Sequence, residues 1–560
     1  MTTPATLVDQ ETPDLHGAYP RLTDEQIESL AERGTRRETQ VGDVLYEAGD
    51  TTYDFFVVLE GKVATVADFG EPGETTVAVH GPGRFLGEIS MLTGQAVFLT
   101  ALVREAGSVL AVPVEVLCDI VSREPALGDL ILRALITRRS LQIGLGTGFR
   151  IIGSRFSADA RRLREFAARN RLPHRWIDLE EDDPAEVMLR RFGIKPEETP
   201  VVIWRDEVVL RNPSNVELAR VLGLRSPAPP ARLCDLMIVG AGPAGLAAAV
   251  YGASDGLVTV VLESIAAGGQ AGTSSKIENY LGFPSGVSGA ELADRAVLQA
   301  RKFGASVTVP ADATGLAARD GHQVVQTGDG EELSAHVVLI ATGCSYRRLE
   351  VPRMDEFERS SVYYAATEIE ANLCRGDPVA IVGDGNSAGQ AAVFLAQHAG
   401  QVSLVVRAPE LTVNMSRYLA DRIEQTPAIQ VYLHSEVREL VGDESLEALV
   451  IEDSESGDRR DVKAQALFVF VGTAPHVEWL SEQVALDEHG FVITGPDAVQ
   501  AANGGASGGG GQLMLETSKS GVFAAGDVRR GSVKRVAAAV GEGALAVRLI
   551  HEHLAYAKGR

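Results

Sequence analysis

The chain has 560 residues, 45% hydrophobic and 23% charged, with a formal net charge of −24. That length points to about three or four domains, and the acidity disfavours nucleic acid and anionic membrane surfaces as non-specific partners. No apolar run approaches the ~18 residues of a membrane-spanning helix. Four cysteines stand at 118, 234, 344 and 374, and no two are spaced Cys-x-x-Cys. Neither a zinc knuckle nor a vicinal redox pair is therefore available.

Residues 1–20 read as a flexible tail whose polar opening, MTTPATLVDQETPD, lacks a signal-peptide core; the expected location is cytoplasmic. Tyr19–Glu32 predicts a helix, with Thr23 as N-cap and Gln26 completing a capping box. From Thr39 to Pro113, short β-branched runs alternate with Gly-rich turns, the pattern of a small antiparallel roll or barrel. A helical stretch follows over Val114–Gly144. Residues 21–145 thus form one domain.

This domain resembles the cyclic-nucleotide-binding family in Gly42-Asp-Val-Leu-Tyr-Glu-Ala-Gly49-Asp50, in Val57-Val-Leu-Glu-Gly61 and in Phe85-Leu-Gly87-Glu88-Ile89-Ser90. The resemblance implies that Gly87 and Glu88 face a ribose. The arginine with which that family neutralises the cyclic phosphate is missing, because the segment reads Gln95-Ala96-Val97-Phe98-Leu99-Thr100. A buried phosphate there lacks its charge-assisted partner, and Arg104 lies farther along. The favoured reading is a barrel kept for packing or for another small ligand.

Residues 146–223 form a second domain. The pattern predicts a strand at Phe149–Gly153, a helix at Ala158–Asn170, a strand at His174–Asp178 and a helix at Ala185–Phe192. Strands at Thr199–Trp204 and Glu207–Leu210 and a helix from Ser214 complete it. This order resembles the thioredoxin/glutaredoxin fold, with Pro200 where that family keeps a cis-proline. Its dithiol would fall near Phe156–Ala160, where there is no cysteine, so the expected role is docking or spacing, not thiol chemistry. The Pro-rich stretch 224–232 reads as a linker.

The next stretch, Leu233–Glu263, reads strand, glycine turn, helix, strand, acid. Its turn is Gly240-Ala-Gly242-Pro-Ala244-Gly245. Gly240 permits the tight turn, Gly242 lets a pyrophosphate approach the backbone, and Gly245 lets helix and strand pack. Glu263 stands where a carboxylate can take ribose hydroxyls, and the helix N-terminus faces the phosphates. Gly268-Gly269-Gln270, Ile277-Glu-Asn279-Tyr-Leu-Gly282-Phe-Pro284 and Val337–Gly343 follow. A second strand–turn–helix–strand unit then runs through Gly383-Asp-Gly385-Asn386-Ser387-Ala388 to Val402–Arg407, with Ala388 in place of the third glycine. A cation at Arg407, where an acid would suit NADH, favours the 2′-phosphate of NADPH; Arg417 could assist. Gly495–Gln512 reads as a flexible loop. Gly526-Asp527 ends an apolar strand and offers a carboxylate to a second sugar or ribityl chain.

GAGPAG, GGQ, IENYLGFP, ATG, GDGNSA and AAGDV in this order resemble the low-molecular-weight thioredoxin reductases, over about residues 233–560. The resemblance implies two Rossmann-like (ββα sandwich) domains: an FAD domain at 233–348 and 464–560, and an NADP domain at 349–463. It implies FAD contacts from Gly240, Gly242, Ala244, Gly245, Glu263, Gln270, Asn279 and Asp527. NADPH contacts are implied from Gly383, Gly385, Asn386, Ser387, Ala388 and Arg407, and a homodimer through the flavin domains.

The family's Cys-Ala-Thr-Cys is replaced here by Tyr364-Ala365-Ala366-Thr367, so the internal dithiol relay is ruled out and Tyr364 is the candidate group beside the flavin. The function expected is an NADPH-dependent flavoprotein passing electrons to a quinone, oxygen, a redox protein or an external disulfide. The alternative is a redox or nucleotide sensor or scaffold that signals through its N-terminal domains to a protein partner. No metal site is expected.

Overall fold

In a computed structural model, the described residues are 10–558 except 72, 88–95, 183–188, 190–192, 206–207, 225–232, 275, 359, 365, 367, 444, 481–482 and 503–512. The chain divides into two compact units, one dominated by residues 1–230 and the other by 231–560.

In the first unit, the opening helix runs Asp24–Ala31 and starts later than the sequence pattern suggests, because Thr23 is extended and caps it. The capping box is complete: the Gln26 N–H donates to Thr23 Oγ1 at 3.3 Å and the Thr23 N–H to Gln26 Oε1 at 2.9 Å. An antiparallel sheet follows, in the order Thr35–Thr39, Thr100–Val112, Phe55–Ala67, Thr75–His80, with Val44–Tyr46 and Phe85–Leu86 added at its flanks. The two long strands shift register where they cross, which bends the sheet around a core containing Phe56, Val58, Val97 and Val103. The helical stretch after the sheet is two helices, Val114–Arg123 and Pro125–Leu145. The break at Glu124 (φ −111°, ψ 88°) follows from Pro125, whose ring keeps the preceding residue out of the helical region.

The second half of this unit is a four-stranded sheet in the order Val208–Arg211, Val201–Trp204, Phe149–Gly153, His174–Asp178. The last two strands are parallel and the others antiparallel. Helices Ala158–Arg169 and Asn215–Val221 flank it, capped by Ser157 and Ser214, and the Thr199–Pro200 peptide is cis. The helix expected at Ala185–Phe192 lies almost wholly outside the described residues.

The second unit holds two sheets of parallel character. One places Thr259–Leu262, Leu233–Val239 and Glu332–Ile340 side by side, with Val522–Ala524 joining the far side of Glu332–Ile340. The other runs Val362–Tyr363, Ala466–Val469, Pro378–Val382, Gln401–Val405, Ile429–Tyr432, parallel throughout. The chain thus leaves the first sheet, builds the second and returns. Strands buried on both faces explain the uninterrupted apolar runs in the sequence. One expectation is corrected: Pro496–Ala502, read as the start of a loop, is helical. Proline is favoured at a helix start, and the alanines that follow it are strong helix formers. Among the described residues no helix is long and apolar enough to cross a membrane.

Candidate functional site

The first glycine turn is built as the sequence pattern requires. Gly240 has φ +106°, and a Cβ there would meet the Ala341 carbonyl oxygen at 2.4 Å. A Cβ on Gly245 would lie 1.9 Å from the Gly240 carbonyl oxygen, so helix Pro243–Ser254 packs on the turn through hydrogen alone. Gly242, the N-cap of that helix, is different. Its φ is −74°, and an added Cβ would touch only Gly269 Cα at 4.0 Å. Among the described residues nothing else comes within 4 Å of that Cβ position, at the helix N-terminus where an anion is favoured by the unpaired N–H groups and the helix dipole.

Around this turn the chain gathers most of the residues expected to serve it. One oxygen of the buried Glu263 carboxylate accepts from the Ala241 N–H at 2.8 Å, and the other accepts from Ile265 N–H at 3.0 Å. Glu263 therefore braces the glycine turn as well as standing at the end of its strand. The Gly268 N–H donates to the Ala241 carbonyl at 2.7 Å, and the Gln270 amide donates to the Cys344 carbonyl. Gly526 brings the final strand against the same helix: a Cβ on it would lie 2.9 Å from the Ala244 Cβ. Burial raises the Asp527 carboxyl above its ordinary pKa, with Lys534 opposing and Glu542 adding to the shift. Asn279 is exposed, in the loop closed by the Ile277–Val287 bridge.

Two supporting residues carry no local sequence signal. Glu542, on the final helix Val536–Lys558, accepts from the Gly526 N–H at 2.7 Å and holds Arg529 at 2.6 Å. It fixes the turn that presents Asp527, yet lies far from it in sequence. Lys534 Nζ donates to the Asp527 carbonyl at 3.0 Å and sits 3.5 Å from Cys344 Sγ.

The second turn repeats the design. Gly383 (φ +149°) closes on the Phe470 carbonyl, where a Cβ would come within 2.5 Å. Gly385 caps helix Asn386–Leu395 and faces open space. Ala388 is fully buried, its Cβ 3.1 Å from the position a Cβ on Gly383 would take, so a methyl fits where the first turn needs hydrogen. The Asn386 side-chain carbonyl accepts from Ser416 N–H at 2.8 Å and holds the loop leading into helix Arg417–Glu424. Ser387 and Arg407 are exposed, and Arg407 makes no ion pair among the described residues.

Tyr364 is half-buried beside the apolar cluster of Phe357, Val362 and Leu440. Its hydroxyl donates to Glu358 Oε1 at 2.5 Å, and Arg348 Nε donates to the same carboxylate at 2.9 Å. Burial first, then the Glu358 charge, pushes the Tyr364 pKa above its ordinary value. Thr367 lies outside the described residues. Cys234, Cys344 and Cys374 are buried free thiols. Burial pushes Cys234 up to about 12 and Cys374 up to about 11, so neither supplies thiolate at neutral pH. Glu88, expected at the barrel site, lies outside the described residues, and Arg104 is paired with Glu74 at 3.4 Å. Among the described residues no cluster fit to hold a metal occurs.

Comparison with known proteins places these features. A family described as pyridine nucleotide-disulphide oxidoreductase matches residues 234–543, and the cyclic nucleotide-binding domain matches residues 36–124. A 34.2 kDa protein in the rubredoxin operon of Clostridium pasteurianum is 29% identical over 320 residues, covering 57% of this chain and 97% of its own. The thioredoxin reductase of Aquifex aeolicus is 33% identical over 323 residues, covering 57% of this chain and 93% of its own. The crystal structure of Lactococcus lactis thioredoxin reductase superposes with a TM-score of 0.52 at 26% identity, covering 58% of this chain and 99% of that one.

Proposed function

Because the chain belongs to the pyridine nucleotide-disulphide oxidoreductase family, an FAD-dependent NAD(P)H oxidoreductase with a cyclic nucleotide-binding domain at its N-terminal end, we propose that it draws on NADPH and hands electrons on without an internal dithiol. The observation that carries this reading is the pair of N-cap glycines, Gly242 and Gly385, each with room for a Cβ beyond the end of a parallel strand. The residues fit the two nucleotides. FAD would be held by Gly240, Gly242, Ala244, Gly245, Glu263, Gln270, Asn279 and Asp527. NADPH would be held by Gly383, Gly385, Asn386, Ser387, Ala388 and Arg407, with the exposed Arg407 cation suited to the 2′-phosphate. Bound together, the two supply hydride transfer from nicotinamide to flavin.

The chain's own groups do the positioning. Glu263 holds the Ala241 N–H and so fixes the turn on which the pyrophosphate rests. Glu542 holds the Gly526 N–H and aims the Asp527 carboxylate. Tyr364 stands where relatives of this type keep a cysteine, its hydroxyl fixed by Glu358, and would offer the flavin a ring in place of sulfur. The acceptor is external: a quinone, oxygen, a redox protein or a disulfide on another molecule. Residues 146–223 are a thioredoxin-like module without thiols, suited to docking. The flavin domains pair in a homodimer.

Anaerobic mixing with NADPH tests the reading. The purified protein is expected to be yellow, and NADPH to bleach its absorbance near ~450 nm, a property of the flavin. Persistence of that band under excess NADPH would overturn the proposal. Acceptors are then ranked by the rate at which each restores the colour.

A further inference from the structure

The N-terminal barrel holds a small, partly open pocket of about 30 Å³, lined by Val77, His80, Val97, Leu99, Arg138 and Gln142 among others. That volume holds about two water molecules, so added bulk there presses on the residues that line it. His80 is 1% exposed, and its Nδ1 has no hydrogen-bond partner among the described residues, which marks the cavity as open to a polar guest.

Two of its walls are also attachments of the second module. The segment Ala96–Leu99, which bends at Phe98–Leu99 just before strand Thr100–Val112, divides its side chains between the two sides. Val97 and Leu99 line the cavity. Ala96 and Phe98 belong to the core of residues 149–224, where Phe98 lies 6.3 Å from the Trp204 ring. The Ala96 N–H donates to the Leu222 carbonyl at 3.2 Å, while the Val97 N–H donates to Asp50 within the barrel at 3.0 Å. Helix Pro125–Leu145 repeats the arrangement. Arg138 and Gln142 face the cavity, while the buried Arg139 holds the C-terminal end of helix Ala158–Arg169, its guanidinium donating to the Asn170 carbonyl at 2.7 Å and the Arg171 carbonyl at 3.1 Å. On both elements a cavity-lining residue is covalently adjacent to a residue gripping the neighbouring module.

We propose that the second module is the mechanical reporter of the barrel cavity: filling the cavity displaces Val97–Leu99 and Arg138–Gln142, and Ala96, Phe98 and Arg139 carry that displacement into the sheet and helices of residues 149–224. Close-packed interiors transmit such a strain instead of absorbing it. The missing cassette arginine does not silence the domain in this scheme, because the signal is steric.

The test fills the cavity by mutation in the full-length protein and reads backbone hydrogen exchange. Val77→Phe adds bulk from strand Thr75–His80, which is neither of the two links. It is expected to speed exchange about 5- to 10-fold at residues 201–204 and 218–222, the range of ordinary inter-site coupling. Val116→Phe, in the helix Val114–Arg123 beneath the other barrel core, is expected to leave those residues unchanged. Exchange in the module that is unmoved by Val77→Phe, or moved equally by Val116→Phe, overturns the proposal. Should Val77→Phe fail to fold, Val77→Leu makes the same comparison at smaller amplitude.

Discussion

The two glycines of the first turn make opposite predictions, and together they separate folding from cofactor binding. In Gly245→Ala the new methyl lands 1.9 Å from the Gly240 carbonyl oxygen. Contact needs more than 3 Å, so helix and strand must part by over an ångström, at about 1–3 kcal/mol of overpacking. That variant is expected to melt several degrees lower and to lose flavin as a consequence. In Gly242→Ala the backbone stays comfortable for alanine, and the methyl meets only Gly269 Cα at 4.0 Å. The apoprotein should melt within about a degree of the parent. Its methyl nevertheless occupies the approach to the helix N-terminus. Losing one charge-assisted hydrogen bond to a phosphate is worth about 1.5–3 kcal/mol, which is about 10- to 150-fold in affinity. The assay is titration of apoprotein with FAD, followed by quenching of flavin fluorescence, beside a thermal melt without FAD. Near-parental affinity in Gly242→Ala would refute the reasoning, because it would mean that no phosphate comes close to that N-cap.

Arg407→Ala is expected to raise the KM for NADPH about 10-fold and leave that for NADH unchanged, since an exposed cation contributes through one phosphate contact; steady-state kinetics with both nucleotides decides it. Burial raises the Asp527 pKa, so its ionised form is the disfavoured one in the folded apoprotein. That penalty is absent below about pH 4 and grows as pH rises through the folded value. Asp527→Asn is therefore expected to melt higher than the parent at neutral pH without FAD, to match it in acid, and to bind FAD more weakly. Replacing all four cysteines by serine is expected to leave NADPH-dependent bleaching and quinone turnover within about 2-fold, because exchange needs a thiolate and a second sulfur; loss of turnover would reinstate a sulfur relay. Tyr364→Phe keeps the ring and is expected to reoxidise at the parental rate with a stability loss of about 0.5–1.5 kcal/mol from the missing Glu358 contact, whereas Tyr364→Ala slows reoxidation in stopped flow.

What could be read from sequence follows the range of the interaction concerned. The glycine turns are legible because all their determinants lie within one strand–turn–helix, and the same holds for the Thr23–Gln26 capping box. Pro125 was equally local, yet its break was hidden inside an apolar periodicity that continues on both sides of it. The helix at Pro496–Ala502 was obscured by the glycine run after it, whose composition dominated the window. Glu542 shows a different kind of loss: its hold on Gly526 joins residues on separate elements, and nothing in either neighbourhood announces it. Arg138 and Arg139 show the same loss in the barrel. In sequence they are two adjacent arginines on a helix, which reads as a solvated face. In the fold both are buried, one turned to the cavity and the other to the Asn170 and Arg171 carbonyls. The residues proposed to hold nucleotides were thus visible as motifs, while those that support them and those that connect the modules arise only when distant elements pack.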